Sequence, residues 1–403
     1  MKSIALIAFA FAFWQSAGGQ EKPLQLPQAL AAARANRPNI EAAQLRVTSA
    51  RLSRRGLGAF PATRLFVGYT SDVATGGSDD DLVLAQPLDI FGRASAFKAV
   101  GDAEIARAEA ALQQVLADVQ SQVIEEFSEA AAAKALAESA AQGQEIAQKL
   151  YGAIQTLVEE GKLPGVQLTR VGIELDRAKL TAGQRNSELQ ASIQRLSGLL
   201  NTPPEGIVVQ NFAQITVELI EPAQMQIQRA DLMLLAAEIR AADAEARVAR
   251  LGNAPELEIQ GRRTAWQEPD ARYGLRVQLG LPIYDFGRAR AETASARAKA
   301  EGARKALADA KRIAESELQA ARIELTAALD QILRYQSIVA NARLLVERSR
   351  IGFTERAITL VELLESTRAL REVEEGYVEA RLRLAQAQSA YLRASGRLLE
   401  DGK

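Results

Sequence analysis

The sequence predicts a mainly α-helical fold with a small β part, built twice from one plan of helix, strand pair and long helical hairpin. Three observations predict it. The stretch Pro87-Leu-Asp-Ile-Phe91-Gly92-Arg93 returns as Pro282-Ile-Tyr-Asp-Phe286-Gly287-Arg288, an offset of 195 residues (282 less 87). Ahead of the second copy, Tyr273, Leu275, Val277, Leu279 and Leu281 alternate with Gly274, Arg276, Gln278 and Gly280, the period of a strand with one apolar and one polar face. Behind each copy the period changes to that of a helix rich in Ala, Glu, Arg and Lys, sustained for dozens of residues. A tandem duplication follows from these repeats.

The N-terminus has the form of a secretory leader: Lys2, an apolar run from Ile4 to Trp14, then small residues through Gly19. The expected organisation is a leader at 1–19, a first repeat at 20–200, a connection at 201–222 and a second repeat at 223–403. The first helix is expected over 26–57, with a break at Arg37-Pro38. Strands are expected within 62–88, on either side of a Gly-rich acidic loop at 74–81, and within 255–281, where Leu257 and Ile259 alternate with Glu258 and Gln260. Phe66 falls on the polar face of the first strand. Pro282 ends the last strand because proline cannot donate to a ladder, Pro87 is its counterpart at the first strand-to-helix junction, and Gly92 and Gly287 supply backbone freedom where strand turns into helix.

Long hairpins then occupy 93–200 and 288–400. At ~1.5 Å per residue each outgoing helix would run roughly 90–100 Å, far beyond the core of a compact domain. Leu318, Leu325, Ile332, Val339 and Val346 recur every seventh residue, and the returning helix answers with Leu363, Leu370, Tyr377, Leu384 and Tyr391. In the first repeat Val123, Ala130 and Ala137 face Leu168, Leu175, Ala182, Leu189 and Leu196. The expected tips are 160–165 and 351–356.

Composition excludes several function classes. The 403 residues carry 49 basic and 50 acidic side chains without a large basic block, which argues against nucleic acid. There is no His and no Cys, so the usual metal ligands, general bases and nucleophiles are missing, as are disulfides and a cysteine-linked lipid anchor. No cofactor, metal site or catalytic pair is expected. Beyond the leader no apolar run is long enough to cross a bilayer as a helix, which leaves water or a β-barrel. Strands of about ten residues suit a tilted membrane strand of ~9–11 residues. Four strands cannot close, so in lipid several copies would have to share one barrel; in water the same strands would cap a helical rod.

The chain resembles the TolC-like outer-membrane efflux proteins over essentially its whole mature length. The likeness is carried by the duplicated halves, the strands ending in Pro-x-x-x-Phe-Gly, and the returning helix opened by Ile358-Thr-Leu-Val-Glu362-Leu-Leu-Glu365, similar to members paired with resistance-nodulation-division pumps. The resemblance implies a homotrimer in the outer membrane of a Gram-negative bacterium. Twelve strands would form one barrel and twelve helices a tunnel across the periplasm, meeting an adaptor protein and an inner-membrane pump. A type I protein-secretion channel, or a periplasmic coiled-coil adaptor without a pore, is the alternative.

Several sites follow. Leu275, Val277 and Leu279 are expected to face lipid and Arg276 and Gln278 water, with Tyr69, Trp266 and Tyr273 at headgroup level or simply ordinary strand and loop aromatics. Gly161, Lys162, Leu163, Phe353, Thr354 and Arg356 are expected at adaptor-docking tips, which every helical hairpin also needs as turns. Arg356 stands where family members carry glycine. Glu362 and Glu365 share a helical face, and the resemblance places such acids at the periplasmic aperture; plain solvated acids are the other reading. Their first-repeat counterparts are Gln167 and Arg170, and an Arg170 to Glu365 contact is expected to help close the aperture.

Overall fold

The computed structural model describes residues 23–57, 59, 61–71, 78–210, 212, 229–264, 272–355 and 357–397. The expected leader, Trp266, Arg356 and part of the 201–222 connection lie outside them. Helices α1 (Leu26–Asn36) and α2 (Pro38–Gly56) meet at the Arg37-Pro38 step, where proline takes the first helical position. Strands β1 (Arg64–Ser71) and β2 (Ser78–Leu88) follow, then α3 (Arg93–Glu159) and α4 (Gly165–Leu200). The second half gives α5 (Ala230–Arg250), β3 (Glu256–Thr264), β4 (Arg272–Gly280), α6 (Arg288–Thr354) and α7 (Leu360–Ser395). Both outgoing helices have 67 residues and both returning helices 36.

Two boundaries differ from expectation. β2 begins at Ser78, so Asp79, Asp80 and Asp81 belong to the ladder opposite Thr70, Tyr69 and Gly68. Backbone pairing continues through residues of poor strand propensity when the neighbouring strand extends alongside. α6 continues through Thr354, so most of the expected second tip is helix. Gly352 carbonyl accepts Ala357 N–H at 2.7 Å and Ile358 N–H at 3.3 Å, closing the last turn.

The structure comprises two compact units. One contains most of α1, α3 from Glu125, α4, and α6 and α7 between Tyr335 and Leu382; the other contains α2, the strands, α5 and the remaining helix segments. In the strand-bearing unit, antiparallel pairing gives the order β1-β2-β3-β4, leaving β1 and β4 as edges. Its α6 and α7 segments zip through Leu318, Ala321, Leu325 and Ala328 against Leu384, Ala387, Tyr391 and Ala394, with Leu318, Leu325, Leu384 and Tyr391 at the expected heptad positions. Ser121 and Ser389 hydroxyls meet at 2.9 Å in the buried contact of α3 with α7.

In the other unit α3 is enclosed, with Phe127, Ala130 and Ala131 almost fully buried. Small residues there let neighbouring helices come close. At Gly376 the approach is tighter still, since a Cβ would stand 2.7 Å from the Tyr335 hydroxyl. The stretch after Gly206 is held here too: Leu24 and Val209 form a parallel bridge, Lys134 Nζ donates to Val209 carbonyl at 2.9 Å, and the Arg381 guanidinium lies 4.4 Å from the Phe212 ring centre.

Leu325 is 1% exposed in the α6–α7 seam. Leu325→Ala is expected to cost about 2–5 kcal/mol, measured as a lowered unfolding midpoint by circular dichroism of the purified chain.

Candidate functional site

The strand register decides which side chains share a face. Leu65, Leu84, Gly261 and Leu275 form one row across the sheet; Gln86, Ile259 and Val277 form another, and Leu88, Leu257 and Leu279 a third. The opposite face carries the rows Arg64, Ala85, Gln260, Arg276 and Pro87, Glu258, Gln278. Gln260 Nε2 donates to Glu258 Oε1 at 2.7 Å and to Gln278 Oε1 at 3.2 Å, a polar lattice across two strands. Leu275, Val277 and Leu279 therefore lie together on the apolar face, and Arg276 and Gln278 on the polar one.

The exposure is inverted relative to a water-soluble sheet. Val277 is 64% exposed and Leu275 78%, whereas Val83 and Ala85 on the polar face are buried. Contiguous exposed apolar surface of this kind marks a face meant for a non-aqueous neighbour. Tyr69 and Tyr273 are exposed on the same face, toward the loop ends. Arg263 interrupts it, in the row Val67, Leu82, Arg263, Tyr273, and its Nε is buried without a hydrogen-bond partner among the described residues. Sequence alternation could have found Arg263, since it falls in phase with Leu257 and Ile259.

Each strand-to-helix junction is capped by an aspartate. Asp89 accepts Arg93 and Ala94 N–H at 2.9 and 2.6 Å, and Asp285 accepts Gly287 and Ala289 N–H at 3.0 and 2.9 Å. Those backbone donors, with the Asn253 amide, hold the Asp285 carboxyl below the usual range. Gly92 and Gly287 take φ of +79° and +81°, which a Cβ would strain. Phe286, at φ +52°, bears that strain without being glycine.

At the hairpin ends, α3 closes with Gly161 at φ +72°, its N–H donating to Val158 carbonyl at 2.9 Å and Lys162 N–H to Leu157 carbonyl at 2.8 Å, a Schellman closure. The two tips pack together. Ile154, Val171, Leu360 and Leu364 form a buried cluster against which Leu163 and Phe353 pack, so these two spend much of their apolar surface inside the tip. Gly161, Lys162 and Thr354 stay exposed.

Glu362 has a local task that its acidity alone did not reveal. Its Oε2 accepts Thr359 N–H at 2.7 Å, while Thr359 Oγ1 accepts Glu362 N–H at 3.3 Å: a capping box opening α7, legible in the spacing Thr-x-x-Glu. The Thr359 N–H foremost, and then the Thr359 hydroxyl, which donates to the same Oε2 at 3.0 Å, hold the Glu362 carboxyl below its ordinary value. Glu365 is exposed one turn on, and Gln167 Oε1 is buried with no partner among the described residues. The structure does not join Arg170 to Glu365; both side chains are exposed. One turn deeper the same helices are tied with the charges exchanged, Arg368 of α7 donating to the buried Glu174 of α4, which also receives Arg177 at 3.3 Å. Among the described residues no cluster of acids could hold a metal ion, and no helix is long and apolar enough to cross a membrane.

Residues 222–397 match the family model described as outer membrane efflux protein. No curated protein matches the chain in sequence. Among solved structures the fold is shared by CusC at 19% identity, covering 96% of each chain with a TM-score of 0.77. The outer membrane protein VceC from Vibrio cholerae matches at 16% identity over 92% of this chain and 96% of its own, TM-score 0.76. The MtrE outer membrane channel of Neisseria gonorrhoeae matches at 14% over 93% and 89%, TM-score 0.76. The resemblance to TolC-like outer-membrane efflux proteins is thus borne out, and so is the mostly helical fold with its four-stranded sheet.

The cap predicts a pH response. Because the folded carboxyl of Glu362 titrates below its ordinary value of 4.5, its stabilisation is complete above that value and is lost as pH falls through the lowered one. Amide exchange of the first turn of α7 is expected to lose protection in that window. Glu362→Ala should lose it at every pH, and Glu362→Gln, which keeps an acceptor oxygen, should keep it without the pH dependence.

Proposed function

We propose that the chain is the outer-membrane exit duct of a tripartite efflux system, conducting solutes passively from an inner-membrane pump and its adaptor. The observation that carries this reading is the sheet: exposed apolar side chains along one face of its edge strands, a polar lattice on the other face, and two unpaired edges. In lipid each unpaired backbone group would cost several kcal/mol. Three copies, edge to edge, give twelve strands with no edge left, an apolar outer wall and a polar lumen. The efflux family match and the shared fold of known outer-membrane channels support the same assembly.

A duct needs no catalytic group. It does need an aperture and a docking end, and both fall at the tips. Glu365 presents a free carboxylate on the first turns of α7, so a threefold ring of Glu365 concentrates negative potential at the constriction and favours cations. Glu362, occupied with its cap, contributes charge to the same ring from a fixed position; Gln167 and Arg170 line it from the first repeat. Gly161, Lys162 and Thr354 offer the exposed surface for an adaptor serving a resistance-nodulation-division pump, with Leu163, Phe353 and Arg356 as the remainder of that tip.

Cross-linking in native membranes is expected to give a three-chain species; a detergent-free monodisperse monomer would end the proposal. Val277→Lys should impair barrel assembly by roughly 2–4 kcal/mol near the midplane, while Gln278→Lys is tolerated, as read by the fraction of heat-modifiable trimer. In planar bilayers Glu365→Gln should reduce cation preference, and an unchanged reversal potential would leave Glu365 a surface charge.

A further inference from the structure

The two strand-to-helix junctions share a sequence but not their surroundings. The first is covered by the chain itself. β2 pairs with β3, and Arg93, its side chain 29% exposed, clamps the turn between α5 and β3: Nε donates to Leu251 carbonyl at 3.1 Å, one terminal nitrogen to Ala254 carbonyl at 2.6 Å, and the other to Glu256 carboxylate at 2.6 Å. Leu88 is half-buried and Phe91 39% exposed.

Among the described residues the second junction is held by its own chain only on one side, where Asp285 accepts from the Asn253 amide at 2.6 Å, and its other side is bare. β4 is an edge, Ile283 is 95% and Phe286 88% exposed, and Arg288, its side chain 82% exposed, reaches Glu292 of its own helix at 2.7 Å. Three corresponding pairs, Leu88 and Ile283, Phe91 and Phe286, Arg93 and Arg288, thus differ in exposure, and what separates them is the neighbouring repeat. The turn that Arg93 grips, Leu251-Gly-Asn-Ala-Pro255, has a counterpart in Leu57-Gly-Ala-Phe-Pro61, and that counterpart leads into β1, the other bare edge.

We infer that the second junction is a docking surface for another copy of the chain, in which Ile283, Tyr284 and Phe286 are covered by the end of α2 and the start of β1 of that copy, and Arg288 leaves Glu292 to grip the Leu57 carbonyl end of the turn. The inference rests on the trimer reading above and adds the joint to it. Each joint within a chain is duplicated between chains. One element is not duplicated: Glu256, the carboxylate partner of Arg93, has Ala62 as its counterpart, so the joint between copies lacks an ion pair that the joint within a chain has.

The test uses the full chain in native membranes with the photoreactive residue benzoyl-phenylalanine. Placed at Tyr284, it is expected to give a two-chain adduct mapping to the tryptic peptide 56–64; placed at Ile90 of the first junction, it is expected to label peptide 251–262 of the same chain. Arg288→Met should lower the temperature at which the trimer dissociates in detergent, whereas Arg93→Met should lower the yield of folded chain. Adducts from Tyr284 only with lipid, with its own chain or with other peptides, in membranes where the unmodified protein is a trimer, would overturn the joint and leave the duct reading standing. Absence of a trimer without any probe would overturn the duct reading, and the joint with it. An unshifted dissociation temperature in Arg288→Met would overturn the grip.

Discussion

The structure depends on one constraint: a sheet of four strands has two edges whose N–H and C=O groups must find partners. In water an edge can bond to solvent, and the usual defences are charge, proline or a covering loop. Neither edge strand carries such a defence along its apolar face. β1 presents Leu65, Val67 and Tyr69, and β4 presents Tyr273, Leu275, Val277 and Leu279, all exposed. Edges ready to pair and apolar side chains facing outward are what the proposed closed wall requires. The duplicated plan supplies the means, since β2 and β3 already show how one repeat's strand pairs with the next.

The helical part obeys a different economy. A helix of 67 residues cannot be buried in the core of a compact domain, so its stability comes from a narrow seam repeated along its length. In α6 that seam is Leu318, Ala321, Leu325 and Ala328, with Ile323 and Leu333 exposed on other faces. In α3 burial is broader, and the residues are smaller. Alternating large and small residues let the seam close tightly at Ala130 or Gly376 and still exclude water at Leu325. Salt bridges over the outer faces, such as Arg195 with Glu126 and Glu129, add little each because they are exposed.

Much of this was legible in the sequence because it is periodic. The Pro-x-x-x-Phe-Gly-Arg repeat, the alternation in β4 and the heptads of α7 all place residues by counting, and the structure puts them there. What was not legible depends on partners that counting does not supply. The acidic start of β2 reads as loop because Asp disfavours strands, yet β1 holds Asp79, Asp80 and Asp81 in the ladder, with β3 alongside at Asp81. The end of α6 is set by the Gly352 carbonyl, a contact formed only once the chain has turned. At the candidate aperture the likeness of motifs drew attention to Glu362 and Glu365 alike, whereas geometry separates them: one is a cap, the other free. The tie between α4 and α7 was expected at Arg170 and Glu365 and is made by Glu174 and Arg368, because residues one turn deeper sit between packed helices where a carboxylate needs a partner.

Arg263 fits this scheme once its depth is considered. A charged side chain on the lipid face of a barrel costs roughly 2–4 kcal/mol at the midplane and ~0–1 kcal/mol near the interfaces. Arg263 is one residue from the end of β3 at the loop side and shares its row with Tyr273. From Tyr273 to Leu279 the apolar face of β4 runs six residue steps, about 20 Å along the strand at ~3.3 Å per residue. In the proposed barrel, with strands tilted by ~35–45°, that run would rise about 15 Å within an apolar band of ~25 Å, and Tyr273 at its loop end pairs with Arg263. In the proposed barrel the arginine would lie toward the loop-side limit of the apolar band. Arg263 shares its row with Leu82 and Val67, and the polar lattice of Gln260, Glu258 and Gln278 occupies the opposite face.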